Sequence, residues 1–241
     1  MKIIADYIPN NRAHQLEFLH VFLHQVYFTF IQAIPLMAML GLFSGAAISL
    51  QASLGMALLG GVNMGKIHVL LLFREVAPMM ASLIIITRSV TAVASELATM
   101  KVGQEIQALQ VIGIDIKKYL LGPRIFGGTV SIFFMALTFY FFSIIGAWLG
   151  SNITSYFPLK IFLDSLSSSF RQADFIFFFI KTTLIGTIVF HIACKKGLSL
   201  KQASFEVPIV TNQAVVDCLF SAIFLQGFLS LIFYVYQGFN I

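Results

Sequence analysis

Apolar runs long enough to cross a bilayer recur five times along the chain, separated by polar segments. A helical span needs about 20 predominantly apolar residues. The pattern predicts spans over about 35–54, 67–100, 125–149, 175–194 and 214–236. The third is the clearest, because no charge interrupts Ile125 to Leu149. The period-two alternation of a membrane barrel is absent, so the expected fold is all-α and polytopic.

Before the first span, His14 to Gln32 reads as an amphipathic helix. Glu17, His20 and His24 fall on one face, and Leu16, Leu19, Phe22, Leu23, Val26 and Phe30 cover much of the rest. Such a pattern fits the membrane interface. The i,i+4 spacing of His20 and His24 is that of metal ligands, but two ligands do not make a site, and no metal is expected. Pro35 opens the first span, where Gly41, Gly45 and Ser49 repeat every four residues. Small residues at that spacing let two helix backbones approach closely.

Composition agrees with the spans. Of 241 residues 59% are hydrophobic and 10% charged, against about 45–50% and 25% in soluble domains. The bilayer is the expected solvent for most of the chain, read as one domain over 1–241. No cleavable signal is evident, since the early apolar run continues into a full span. With the N-terminus inside, cytoplasmic segments hold Lys2, Arg12, Lys101, Lys117, Lys118, Arg124, Lys195, Lys196 and Lys201. The outer loops hold Lys66, Lys160 and Arg171. Basic residues favour the cytoplasmic side, so the C-terminus is expected outside. Cys194 and Cys218 lack metal-ligand spacing and read as small buried hydrophobes. Gly60 to Lys66 has the G-x-x-x-x-G-K spacing of a phosphate loop. Ile67 follows instead of Ser or Thr, and no strand precedes it, so no nucleotide site, cofactor or nucleic-acid partner is expected.

The second span is the anomaly. It carries Arg74, Glu75, Arg88 and Glu96, together with Pro78. Each ionisable group costs at least ~2.5–3.5 kcal/mol in a span and usually faces a cavity or partner. At 100° per residue, Arg88, Glu96 and Thr99 each lie within about 40° of Arg74, and Pro78 is expected to kink the helix. Snorkelling to headgroups accounts for charges near the ends, Glu96 with Lys101 among them, but less well for Arg88, about 12 residues from the nearer end. Arg74 is suited to phosphate. After the span, Ile106, Leu109, Val111 and Ile112 give residues 101–124 a short amphipathic helix that Gly113 would stop. A helix of this kind can dock a soluble partner.

The run R74-E75-V-A-P78, R88, A94-S-E96-L-A-T-M100-K101, E105, A108-L109, G113-I-D115 and P123-R124 resembles the MlaE/YrbE permease family, with a weaker likeness over about 35–237. The resemblance implies the membrane subunit of an MCE-associated ABC transporter. It would move phospholipids or related lipids across the cell envelope, in the inner membrane. Its partners would be a separate ATPase subunit, an MCE-domain substrate-binding protein and a second permease copy. Arg74, Glu75 and Val76, with Ile48 and Gln51 of the first span, match the family's lipid-pocket positions. Residues 101–113 match the coupling helix, with Lys101, Gln104, Glu105, Leu109, Gly113 and Asp115 as contacts toward the ATPase. Lys181 matches a lysine of the fourth span and joins Arg88 and Glu96 as a polar intramembrane residue. Two departures stand out. Val76-Ala77 replaces Leu-Gly, and the acid of the coupling segment is shifted by one position to Glu105.

Two other classes compete. An ion- or proton-coupled secondary transporter would use Arg88, Glu96, Lys181 and Asp217 as a relay, but such folds usually show internal repeats, and none is visible. An intramembrane enzyme would need a nucleophile beside a base; Ser143, His191 and Cys194 are isolated. The chain itself is therefore not expected to be an enzyme.

Overall fold

The computed structural model describes residues 12–59, 64–154, 158–200 and 204–238. Residues 1–11, including Lys2, the loop positions 60–63, and Lys201 lie outside them, as does the side chain of Glu17. The described residues are helical: α1 (Arg12–Thr29), α2 (Ile34–Leu59), α3 (64–102), α4 (Glu105–Val111), α5 (117–154), α6 (Leu159–Ser169), α7 (Gln172–Gly197) and α8 (Val207–Gly238). Among the described residues, five stretches are long and apolar enough to cross a membrane: Phe18–Ser53, Gly65–Val102, Lys117–Ile153, Gln172–Gly197 and Val207–Tyr236.

The first stretch begins earlier in the chain than the predicted first span. A 3-10 turn, Ile31–Ala33, joins α1 to α2, and no separate interfacial helix stands out among the described residues. Leu19, Leu23 and Tyr27 are exposed alongside His20 and His24. Gln25 and Thr29 are buried and bonded to each other at 2.8 Å. Polar and apolar side chains therefore share both sides of α1. An apolar solvent does not sort them as water would.

The chain divides into two compact units. The first comprises residues up to Gln32, Ser82–Ile132 and Thr183–Leu225. Within it Gly127 lies against Gln25, Gly128 against the Phe190 ring, and Gly186 against Thr129. Polar bonds also join helices here: Thr129 to Thr187 at 3.3 Å, and the Cys218 thiol to the Val189 carbonyl at 3.3 Å.

The second unit comprises Ala33–Ala81, Phe133–Thr182 and the chain from Gln226. Here the small-residue repeat of α2 meets a matching one on α5. A Cβ on Gly41 would sit 2.5 Å from the Phe139 carbonyl oxygen, and one on Gly45 would strike the Ser143 backbone. In return, Gly146 and Gly150 face Leu42 and Ala46. The two backbones are in direct contact, as the four-residue spacing predicts. Helix α6, within what reads as a loop in sequence, packs on the start of α3, where the Gly65 amide donates to Ser165 Oγ at 3.0 Å. Phe162 and Leu166 of α6 join Val69 and Ala147 in a core cluster.

Candidate functional site

Pro78 determines the local structure of the charged span. It has no amide hydrogen, so the carbonyl four residues back, on Arg74, loses its α-helical donor. The helix widens into π turns over His68–Val76, with the Ala77 amide donating to the Leu72 carbonyl. A second π stretch covers Ile86–Val90. π turns recur at functional positions, and these two hold Arg74, Glu75 and Arg88. The residues expected on one face differ in environment: Arg74 is buried whereas Glu96 and Thr99 are exposed.

The freed Arg74 carbonyl accepts from Lys181 Nζ at 2.9 Å. The same ammonium donates to Glu75 Oε2 at 2.9 Å and to Ser230 Oγ at 2.8 Å. Ser230 in turn donates to Glu75 Oε2 at 2.8 Å, and Gln226 Nε2 donates to the Glu75 carbonyl at 2.8 Å. The Arg74 guanidinium pairs with Asp174 at 2.5 Å. Three helices of the second unit thus meet in a cluster of two cations and two carboxylates. Asp174 and Lys181 are fully buried, while Glu75 leaves 28% of its side chain exposed. Aromatic rings surround the charges. Arg74 lies 5.2 Å over Phe233, Lys181 lies 5.1 Å over Phe177, and those two rings stack at 4.0 Å. Phe73, one residue before Arg74, stacks on Phe178 at 4.4 Å and meets Tyr140, Phe170 and Phe175 edge-on.

Such a cluster can anchor helices in an apolar medium, and Glu75 is its most exposed charged side chain although its carboxylate Oε2 is held by Lys181 and Ser230. Of the other pocket positions read from sequence, Val76 and Ile48 are half-buried and Gln51 is exposed. Sequence reasoning missed Asp174, Gln226 and Ser230. One signal was available: Asp174 and Lys181 are seven residues apart on one helix, which places them on the same face.

The remaining charges of the span are held in the first unit. Arg88 donates to Gln32 at 2.7 Å and lies 5.4 Å over Phe28. Glu96 pairs with Arg124 at 2.8 Å, not with Lys101, whose ammonium bonds the Leu198 carbonyl at 2.5 Å. Asp217 pairs with Lys196 at 2.6 Å. The four residues of the supposed relay therefore have four different sets of partners.

At the end of α3 the chain turns through Gln104, which takes a left-handed φ of 57°, into α4. Ile106 is buried and anchors α4, Leu109 is half-buried and Glu105 exposed. Gly113 ends the segment at φ +86°, a conformation glycine adopts without steric cost. Asp115 Oδ1 then accepts from the Lys117 amide at 3.0 Å, starting α5. Val111 and Ile112 are left 88% and 74% exposed.

Residues 22–232 match the family described as permease MlaE. A probable ABC transporter permease protein of Rickettsia typhi is 29% identical over 201 residues, covering 83% of this chain and 78% of that protein. The intermembrane phospholipid transport system permease protein MlaE of Haemophilus influenzae is 25% identical, covering 77% and 72%. The chloroplastic protein trigalactosyldiacylglycerol 1 of Arabidopsis thaliana is 28% identical, covering 77% of this chain and 56% of that protein. With its five apolar helices and a match over most of its length, the chain belongs to the MlaE permease family.

Proposed function

We propose that this chain is the membrane-spanning permease subunit of an ABC-type transporter that carries phospholipid between membranes, with ATP hydrolysed by a separate subunit. The observation that carries this reading is the family match over residues 22–232. The Haemophilus relative, an intermembrane phospholipid transport permease, supports the substrate class.

Within that reading, the lipid headgroup meets the protein at Glu75 and the rings around it, with Ile48, Gln51 and Val76 toward the acyl chains. Arg74 acts there through its pair with Asp174. The exposed Val111 and Ile112 on the Ile106-anchored α4 fit the docking of an ATPase subunit at 101–113, with Lys101, Gln104, Glu105, Leu109, Gly113 and Asp115 around the contact. A second permease copy and an MCE-domain protein complete the assembly. The chain works as one permease domain in the inner membrane, N-terminus inside, with residues 14–32 at the cytoplasmic interface.

The buried Arg74–Asp174 pair changes the test. Arg74→Glu would face two carboxylates and threaten the fold, whereas Glu75→Gln keeps an acceptor for Lys181 and Ser230. Purified with its ATPase and reconstituted in vesicles, the Glu75→Gln complex is expected to transfer phospholipid at least ten-fold more slowly while still assembling. Transfer at the unaltered rate would overturn the headgroup assignment. Failure of an ATPase to co-purify would overturn the permease reading.

A further inference from the structure

The first unit holds a basic groove that lipid transport does not account for. One cavity, of ≈ 370 Å³, is lined by Lys101, Lys117, Ile106, Ile116, Leu121 and Leu198. A second, of ≈ 200 Å³, shares Leu121 and Leu198 and adds Ile125 and Lys195. A third, of ≈ 300 Å³, shares Lys195 and adds Lys196, Ser199 and Asp217. Shared wall residues make the three neighbours along one groove, lined by four lysines, by Leu121, Ile125 and Leu198, and by the polar Gln107, Gln110 and His191.

The charges do not cancel. Lys196 is paired with Asp217. Asp115, near Lys117, accepts from that residue's backbone amide. Among the described residues no ion pair is formed by Lys101, Lys117 or Lys195. The groove also lies where apolar spans end: Lys101 closes the second, Lys117 opens the third, and Lys195 and Lys196 stand in the last turn of α7. Span ends lie at the depth of lipid headgroups. Basic residues at that depth attract anionic lipids, and an apolar floor takes the first part of an acyl chain.

We propose that this groove binds an anionic phospholipid of the surrounding bilayer, its phosphate held by Lys117 and Lys195 and its acyl chain along Leu121, Ile125 and Leu198. The site is separate from the charged cluster of the second unit. It rests on the chain lying in a membrane, not on what the chain transports.

The test uses the full chain in detergent, mixed with phosphatidylglycerol or phosphatidylethanolamine and read by native mass spectrometry. Phosphatidylglycerol is expected to be retained in preference. Lys117→Gln with Lys195→Gln should lower its retention at least ten-fold, at about five-fold per lysine, and leave phosphatidylethanolamine unchanged. The paired change to Arg should keep the retention, which separates loss of charge from loss of fold. Lys160→Gln, at an exposed lysine of α6, should have no effect. Equal retention by the unaltered chain and the double Gln variant would overturn the proposal. So would full displacement by inorganic phosphate, since a site for free phosphate has no use for the apolar floor.

Discussion

Arg74 and Asp174 in the second unit pair with side chains 5% and 0% exposed, whereas Glu96, paired with Arg124 in the first, leaves 58% of its side chain open. Among the described residues Lys181 has three acceptors for its three hydrogens, while the Lys196 ammonium pairs with Asp217 and stands partly open. The difference shows when a span can afford a buried charge. In the second unit each cation has a carboxylate partner, and Lys181, Glu75 and Asp174 also bond backbone or hydroxyl groups. In the first unit Arg124 is buried, but its partner Glu96 and both members of the Lys196–Asp217 pair are open enough to draw on headgroups or solvent, and less of their energy lies in the pairing.

The comparison can be broken by substitution. The largest effect is expected for Lys181→Met, which strands Glu75 and the Arg74 carbonyl. Removing one partner of a buried pair costs about 3–5 kcal/mol, read as lowered stability to denaturant in mixed micelles. Adding Glu75→Gln should recover part of that loss. Asp174→Asn keeps the shape and an acceptor but leaves the buried Arg74 charge without its counter-ion, with an expected loss of about 3 kcal/mol, the lower end of the same range, in the same measurement. Glu96→Gln still offers Arg124 an acceptor and should cost about 0.2–1 kcal/mol. Lys196→Gln should cost less again, and raising salt should erase its effect while leaving that of Lys181→Met in place. If Lys181→Met were no more harmful than Glu96→Gln, the contrast between the two regions would fail.

Much of this fold is legible in sequence because hydropathy reports directly on spans. The five apolar runs, the Gly41-Gly45 contact face and the Gly113 stop all follow from composition and spacing. What stays hidden is direction. A helix in lipid is apolar all round, so its pattern does not say which side meets protein, and the partners of Arg74 and Lys181 cannot be read from it. The angular argument for Arg74, Arg88 and Glu96 assumed 100° per residue, and two π stretches intervene. Asp174 looked like a loop residue because its charge ended the apolar run, although α7 already begins at Gln172.

The cluster also imposes an order in time. Arg74 and Glu75 are adjacent, so on a helix they do not face each other, and neither can neutralise the other during synthesis. Asp174 leaves the ribosome 100 residues after Arg74, and Ser230 follows Lys181 by 49. At roughly 5–20 residues per second, α3 waits on the order of 5–20 s for its first counter-ion. Through that interval the nascent second span must be sheltered or stay at the edge of the bilayer. Assembly of this chain is therefore completed from its C-terminal helices backward.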